Sequence, residues 1–110
     1  MAIHPEIRAE ANRYFQQEVA VLKDMGISSS ESQRILRDIN EVNARLLQGE
    51  VEGIYDKCVR YLHEELTETR ARKIRAGLRQ LRPYPTIHSQ LEAWVRSLAP
   101  KFYIHSAAAG

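Results

Sequence analysis

Apolar side chains return every three or four positions along most of the chain, and that spacing gathers them on single faces of successive α-helices. Ile7, Ala11, Tyr14, Phe15, Val19, Leu22 and Met25 form the first such face. Pro5 suits the first helical position, and Glu6 favours the positive end of the helix dipole, so a helix is expected over about residues 5 to 25. Gly26 supplies its stop, with Ile27 able to pack back on the last turn. Ser28, Ser29 and Ser30 then offer three overlapping N-caps. Beyond them Ile35, Ile39, Val42 and Leu46, flanked by Leu36 and Leu47, make the apolar face of a second helix over about 29 to 48, closed by Gly49. Two antiparallel helices joined by a tight turn are the expected outcome.

No proline interrupts Val51 to Arg82. On a wheel with Cys58 at zero, Val51, Ile54, Tyr55, Cys58, Leu62 and Leu66 centre near about 30°, whereas Ile74, Leu78 and Leu81 fall at about 160°, 200° and 140°. The stripe turns by more than a quarter of the circumference across Thr67-Glu68-Thr69-Arg70-Ala71-Arg72-Lys73. Either the helix breaks near Thr67 to Thr69, or one long helix meets different neighbours along its two halves. The absence of a proline favours the long, continuous or gently bent helix. A span of that length in so short a chain in turn favours a second chain beside it. Pro83 and Pro85 end the helix, Thr86 is a natural N-cap, and Ile87, Leu91, Trp94, Val95 and Leu98 mark a last helix over about 87 to 99, stopped by Pro100. The tail from Lys101 carries Phe102, Tyr103 and Ile104, which suit a docking segment or a short strand. The fold class expected is therefore all-α, a four-helix bundle-like single domain with a long third helix and a short C-terminal tail.

Composition narrows the class. The 110 residues are 44% hydrophobic and 27% charged, enough for one core and too few for two. Uncharged runs fall far short of the ~20 apolar residues of a membrane span, and the N-terminus lacks the pattern of a secretion signal, so no membrane partner and a cytoplasmic location are expected. The lone Cys58 closes no intramolecular disulfide, in keeping with a reducing compartment.

Charge changes the picture more. The formal +2 hides an asymmetry: residues 1 to 69 carry a net −5 and residues 70 to 110 a net +7. Six basic and no acidic residues lie between Arg70 and Arg82, and on a helix Arg72, Arg75, Arg79 and Arg82 form one stripe about 15 Å long. Arginine forks suit phosphate oxygens, which makes this stripe a candidate site for DNA, RNA or another polyanion. The competing reading is a solvated stripe, or one paired with the acidic first half. Leu22 to Ile35 also resembles the turn region of a helix-turn-helix, a glycine before an aliphatic residue and a polar cap opening the next helix, departing from it at Ser32 and Leu22.

Catalytic and metal-binding patterns are missing. His4, His63, His88 and His105 stand apart, and one cysteine cannot build a thiolate-rich zinc site. The five glycines form neither a dinucleotide fingerprint nor a phosphate loop, and no cofactor is indicated. Cys58 and His63 would point about 140° apart on a helix, so Cys58 reads as a small core residue rather than a nucleophile. Trp94 reads as core in the same way. The function expected is a non-enzymatic interaction module, self-associating or a subunit of a regulatory complex. Its partner would be a protein or a second copy, met through Ile74, Leu78, Leu81, Phe102, Tyr103 and Ile104. The alternative is a nucleic-acid-binding regulator using the arginine stripe.

Overall fold

The computed structural model describes residues 2–27 and 29–100. Among them the chain is all-α, with four helices: α1 (Pro5–Asp24), α2 (Ser30–His63), α3 (Glu68–Gln80) and α4 (Pro85–Leu98). It divides into two compact units, Met1–Glu50 and Val51–Gly110. The first holds α1 and the N-terminal part of α2; the second holds the rest of α2 with α3 and α4. Each unit has its own buried side chains.

α1 opens as its residues dictate. Pro5 takes the first turn, where its missing N–H costs nothing, and the His4 ring nitrogen Nδ1 accepts a hydrogen bond from the Glu6 N–H at 3.2 Å. It closes at Gly26, which takes the left-handed conformation at φ 78°. The Gly26 N–H donates to the Lys23 carbonyl at 3.0 Å and the Ile27 N–H to the Leu22 carbonyl at 2.8 Å, the paired bonds of a Schellman end. Of the three serines, Ser29 is the cap: its Oγ accepts the Ser32 N–H at 3.1 Å.

The long helix is α2, not the third. Gly49 does not stop it, and Gly26 is the only glycine with positive φ among the described residues. The two glycines differ in the residues next along the chain. Gly26 precedes capping serines that can start a new helix, whereas Gly49 precedes Glu50-Val51-Glu52, which offers no cap. A mid-helix glycine then costs only about 1 kcal/mol, which burial of Val51, Cys58 and Leu62 further along offsets.

The expected continuous helix over 51–82 is instead broken at Glu64–Thr67. Thr67 caps α3, its hydroxyl accepting the Arg70 N–H at 3.3 Å and its carbonyl accepting the Ala71 N–H at 2.9 Å. The break absorbs the swing of the apolar stripe: Val51, Cys58 and Leu62 on one side of it, and Ile74 and Leu81 on the other, are all buried. α4 begins at Pro85, two residues earlier than expected. Tyr84 precedes it as a buried side chain, and its carbonyl accepts the His88 N–H at 2.8 Å.

Inside the second unit α3 comes close to α2 at Gly77. A Cβ built at Gly77 would lie 2.5 Å from the Cys58 sulfur and 3.3 Å from Cγ2 of Ile54. Only glycine lets these helices approach so closely. Gly77→Ala is expected to lose about 1–3 kcal/mol by overpacking despite its better helix propensity. In a Cys58→Ala background the same change is expected to become neutral or stabilising, a coupling readable in urea unfolding midpoints.

Candidate functional site

In the second unit the α3 part of the swivelled stripe faces inward. Ile74 and Leu81 are fully enclosed and Leu78 is half-buried, so the expected partner face of α3 is interior to the chain. Phe102, Tyr103 and Ile104 lie outside the described residues. Cys58 is buried, and burial pushes its thiol above the usual range, which keeps it protonated as a core residue. His63 is exposed and sits edge-on to the Trp94 ring at 6.0 Å.

The arginines are displayed more openly. Arg72, Arg75 and Arg79 share the face of α3 roughly opposite Ile74 and Gly77, while Arg82 lies beyond the helix end. The common stripe therefore spans about 10 Å, not 15 Å. Arg72, Arg79 and Arg82 are exposed, and Arg75 is half-buried and partnered. Local glutamates answer part of the charge: Arg72 lies 3.3 Å from Glu68, and Arg70 lies 3.1 Å from Glu64 and donates to the Glu65 carbonyl. Lys73 lies over the Tyr61 ring at 5.6 Å.

Among the described residues, most of the exposed large apolar side chains are in the first unit; Leu66, Trp94 and Leu98 are those of the second. α1 and α2 run side by side, linked at three levels. The His4 N–H donates to Gln48 Oε1 at 2.9 Å, Asn40 donates to Asn12 Oδ1 at 3.0 Å, and Arg8 grips Glu41 through both guanidinium nitrogens at 2.9 and 3.1 Å. These links lie at the end of α1 far from the turn, so the helices stay together as an antiparallel hairpin, whereas those of a helix-turn-helix cross and diverge from their turn. The likeness at Leu22 to Ile35 is thus confined to the turn.

This hairpin covers only part of its apolar residues. α2 turns Leu36, Asn40, Ala44 and Leu47 toward α1, with Ala44 fully buried. Ile35, Ile39, Val42 and Leu46, at intervals of four, three and four, lie on the adjoining face and remain 44 to 63% exposed. On α1, Tyr14 and Val21 are exposed as well, as is Met25 just past its end. Among the described residues the buried hydrophobics of the first unit are only Ile7, Ala11 and Ala44, against ten in the second. Between the helices runs a groove of about 370 Å³, walled by Tyr14, Phe15, Leu36, Ile39, Leu46 and Leu47 with Glu18, Asn40, Asn43 and Glu50 among them. The groove thus joins apolar walls to four polar side chains. The sequence pattern places all four residues of the α2 seam on one apolar face; within the first unit α1 is the only other described helix, and it covers the neighbouring face of α2.

No known family, curated protein or solved structure matches the chain. No helix among the described residues is long and apolar enough to cross a membrane, and no cluster of three or more metal-ligating side chains occurs among them.

The clamp that holds this face is titratable. The hydrogen bonds from Arg8 hold Glu41 below the usual carboxylate range; desolvation opposes them, and weaker Coulomb attraction from Arg8 and then Arg45 adds to them. A carboxylate with a depressed folded-state pKa contributes stability in full above its ordinary value, and that contribution is lost as pH falls through the depressed one. Glu41→Gln is therefore expected to loosen α1 at neutral pH. The gap from wild type, followed by hydrogen exchange of α1 amides, is expected to close as pH falls below about 4.5.

Proposed function

We propose that the chain is a non-enzymatic helical interaction module whose binding surface is the open face of the α1–α2 hairpin. The observation that carries this reading is the seam of Ile35, Ile39, Val42 and Leu46, spaced as a helix-packing stripe and half-exposed throughout. Burying the remaining half of each such side chain contributes about 1 kcal/mol. The seam and Tyr14 together thus supply roughly 5 kcal/mol from each side of a complex, enough to offset much of the cost of association. The groove beside the seam adds a concave site with polar groups at Glu18, Asn40, Asn43 and Glu50 for orientation. The contact surface of this module is therefore the hairpin face rather than Ile74, Leu78 and Leu81.

A second reading, a nucleic-acid-binding regulator, is favoured by the exposure of Arg72, Arg79 and Arg82. Contact by Arg72, Arg75 and Arg79 with three phosphates would make duplex affinity fall about 40-fold between 50 and 200 mM salt. Fluorescence anisotropy with labelled DNA and RNA tests it, and unchanged affinity after Arg75→Glu/Arg79→Glu removes it.

For the leading reading, light scattering and binding of the apolar dye ANS are the measurements. The wild-type chain is expected to gain mass at high concentration or to bind the dye when dilute. Ile39→Asp/Val42→Asp, at two exposed positions, is expected to keep the helical circular dichroism and do neither. A wild-type chain that stays monomeric and leaves the dye dark sinks the proposal.

A further inference from the structure

We infer that the occupant of the α2 seam is the α2 of a second copy of this chain, packed antiparallel about a twofold axis near residues 40 and 41. The inference rests on the proposed role of the hairpin as a binding module and specifies its partner. Spacings of four, three and four assign the seam uniquely in a heptad: Ile35 and Val42 at d, Ile39 and Leu46 at a. A parallel pair favours β-branched residues at a and leucine at d. This seam has β-branched residues at both d positions and its leucine at a. An antiparallel pair instead layers a on d. It sets Ile39 on Val42 of the partner subunit and Ile35 on Leu46 of the partner subunit, and the twofold repeats both layers.

The ends of the seam fix the register. The next a position before it is Ser32 and the next d position after it is Gly49, where a Cβ would meet open space. Sliding the pair by one heptad would set two of the four apolar residues of each copy against serine, glycine or positions beyond the seam. Only the centred register matches all four.

Charge complementarity points to the same arrangement. Asp38 and Arg45 occupy successive g positions, on the flank of the seam away from α1. Antiparallel pairing brings g residues of the two helices together, so Asp38 meets Arg45 of the partner subunit, twice by symmetry. Within its own chain Arg45 has only a loose contact with Glu41, at 3.7 Å, and its side chain is 72% exposed. On the other flank lie Leu36 and Asn43, beside the groove, so the α1 helices of both copies come together there. Four helices then enclose the Tyr14, Ile39 and Leu46 surfaces that two leave open. This enclosure matters because a two-heptad seam is too short to hold an isolated coiled coil.

The test uses the full chain and exchanges charges between copies. Wild type is expected to run at twice its 12.7 kDa mass in size-exclusion chromatography with light scattering. Asp38→Arg and Arg45→Asp alone are each expected to weaken the dimer at least ~10-fold, since each sets like charges opposite one another on both sides of the axis. An equimolar mixture of the two variants is expected to recover the wild-type affinity, because both pairs are again opposite in sign. Circular dichroism on each variant excludes simple unfolding. A wild-type dimer that neither single variant weakens, or that the mixture fails to restore, overturns the antiparallel pairing and leaves the binding-module reading standing. A wild-type monomer that binds ANS strongly overturns the second copy as occupant and leaves the module for another protein. A monomer without dye binding overturns both.

Discussion

How many helices surround a given apolar stripe is the constraint on which the rest of this protein depends. One helix shields only the face it touches, so a stripe wider than that face needs a third element. In the second unit the end of α2, with α3 and α4, supplies three, and Ile74, Leu81, Leu91 and Val95 are sealed completely. The first unit contains two, α1 and the N-terminal part of α2. The residues along the line of contact, Ile7, Ala11 and Ala44, are enclosed, while those one step round the wheel are left to solvent. The two units thus differ in how many helices each brings to its own core.

Polar side chains set the alignment within the hairpin. Ala11 and Ala44 allow close approach but carry little shape to fix a register, and the Arg8–Glu41 fork, the Asn12–Asn40 bond and the His4–Gln48 bond provide it at three separate levels. Exposed ion pairs usually contribute little, yet a two-pronged guanidinium–carboxylate contact has a strict geometry. It positions the helices more than it stabilises them. Charge in the second unit works over shorter range: Glu64 and Glu68 answer Arg70 and Arg72, so the strong basic bias after residue 69 is partly neutralised by acidic residues just before it in the chain.

Helix type and most chain punctuation were legible from residues alone, because the signals are local. Gly26 with its trailing serines contains both halves of a stop and a restart, and Pro85 forces the start of α4 within two residues of its expected place. Gly49 and Thr67 were misjudged for one shared reason: a glycine ends a helix only where a cap can begin the next, and a threonine begins one only where the chain gains by turning. That gain, burial of Ile74 and Leu81 on the same side as Cys58, is long-range and absent from any local window. The open seam was legible as a stripe but not as a surface. Periodicity shows which residues share a face and is silent on whether anything covers it. The arginine stripe was foreshortened for a related reason, since the early end of α3 takes Arg82 out of line.

The narrow fit of Gly77 against Cys58 has a practical corollary. The thiol is the sole cysteine of the chain, protonated and walled in by a neighbouring backbone, so an alkylating reagent reaches it only in moments when α3 lifts away. Its labelling rate is a built-in clock for transient opening of the second unit.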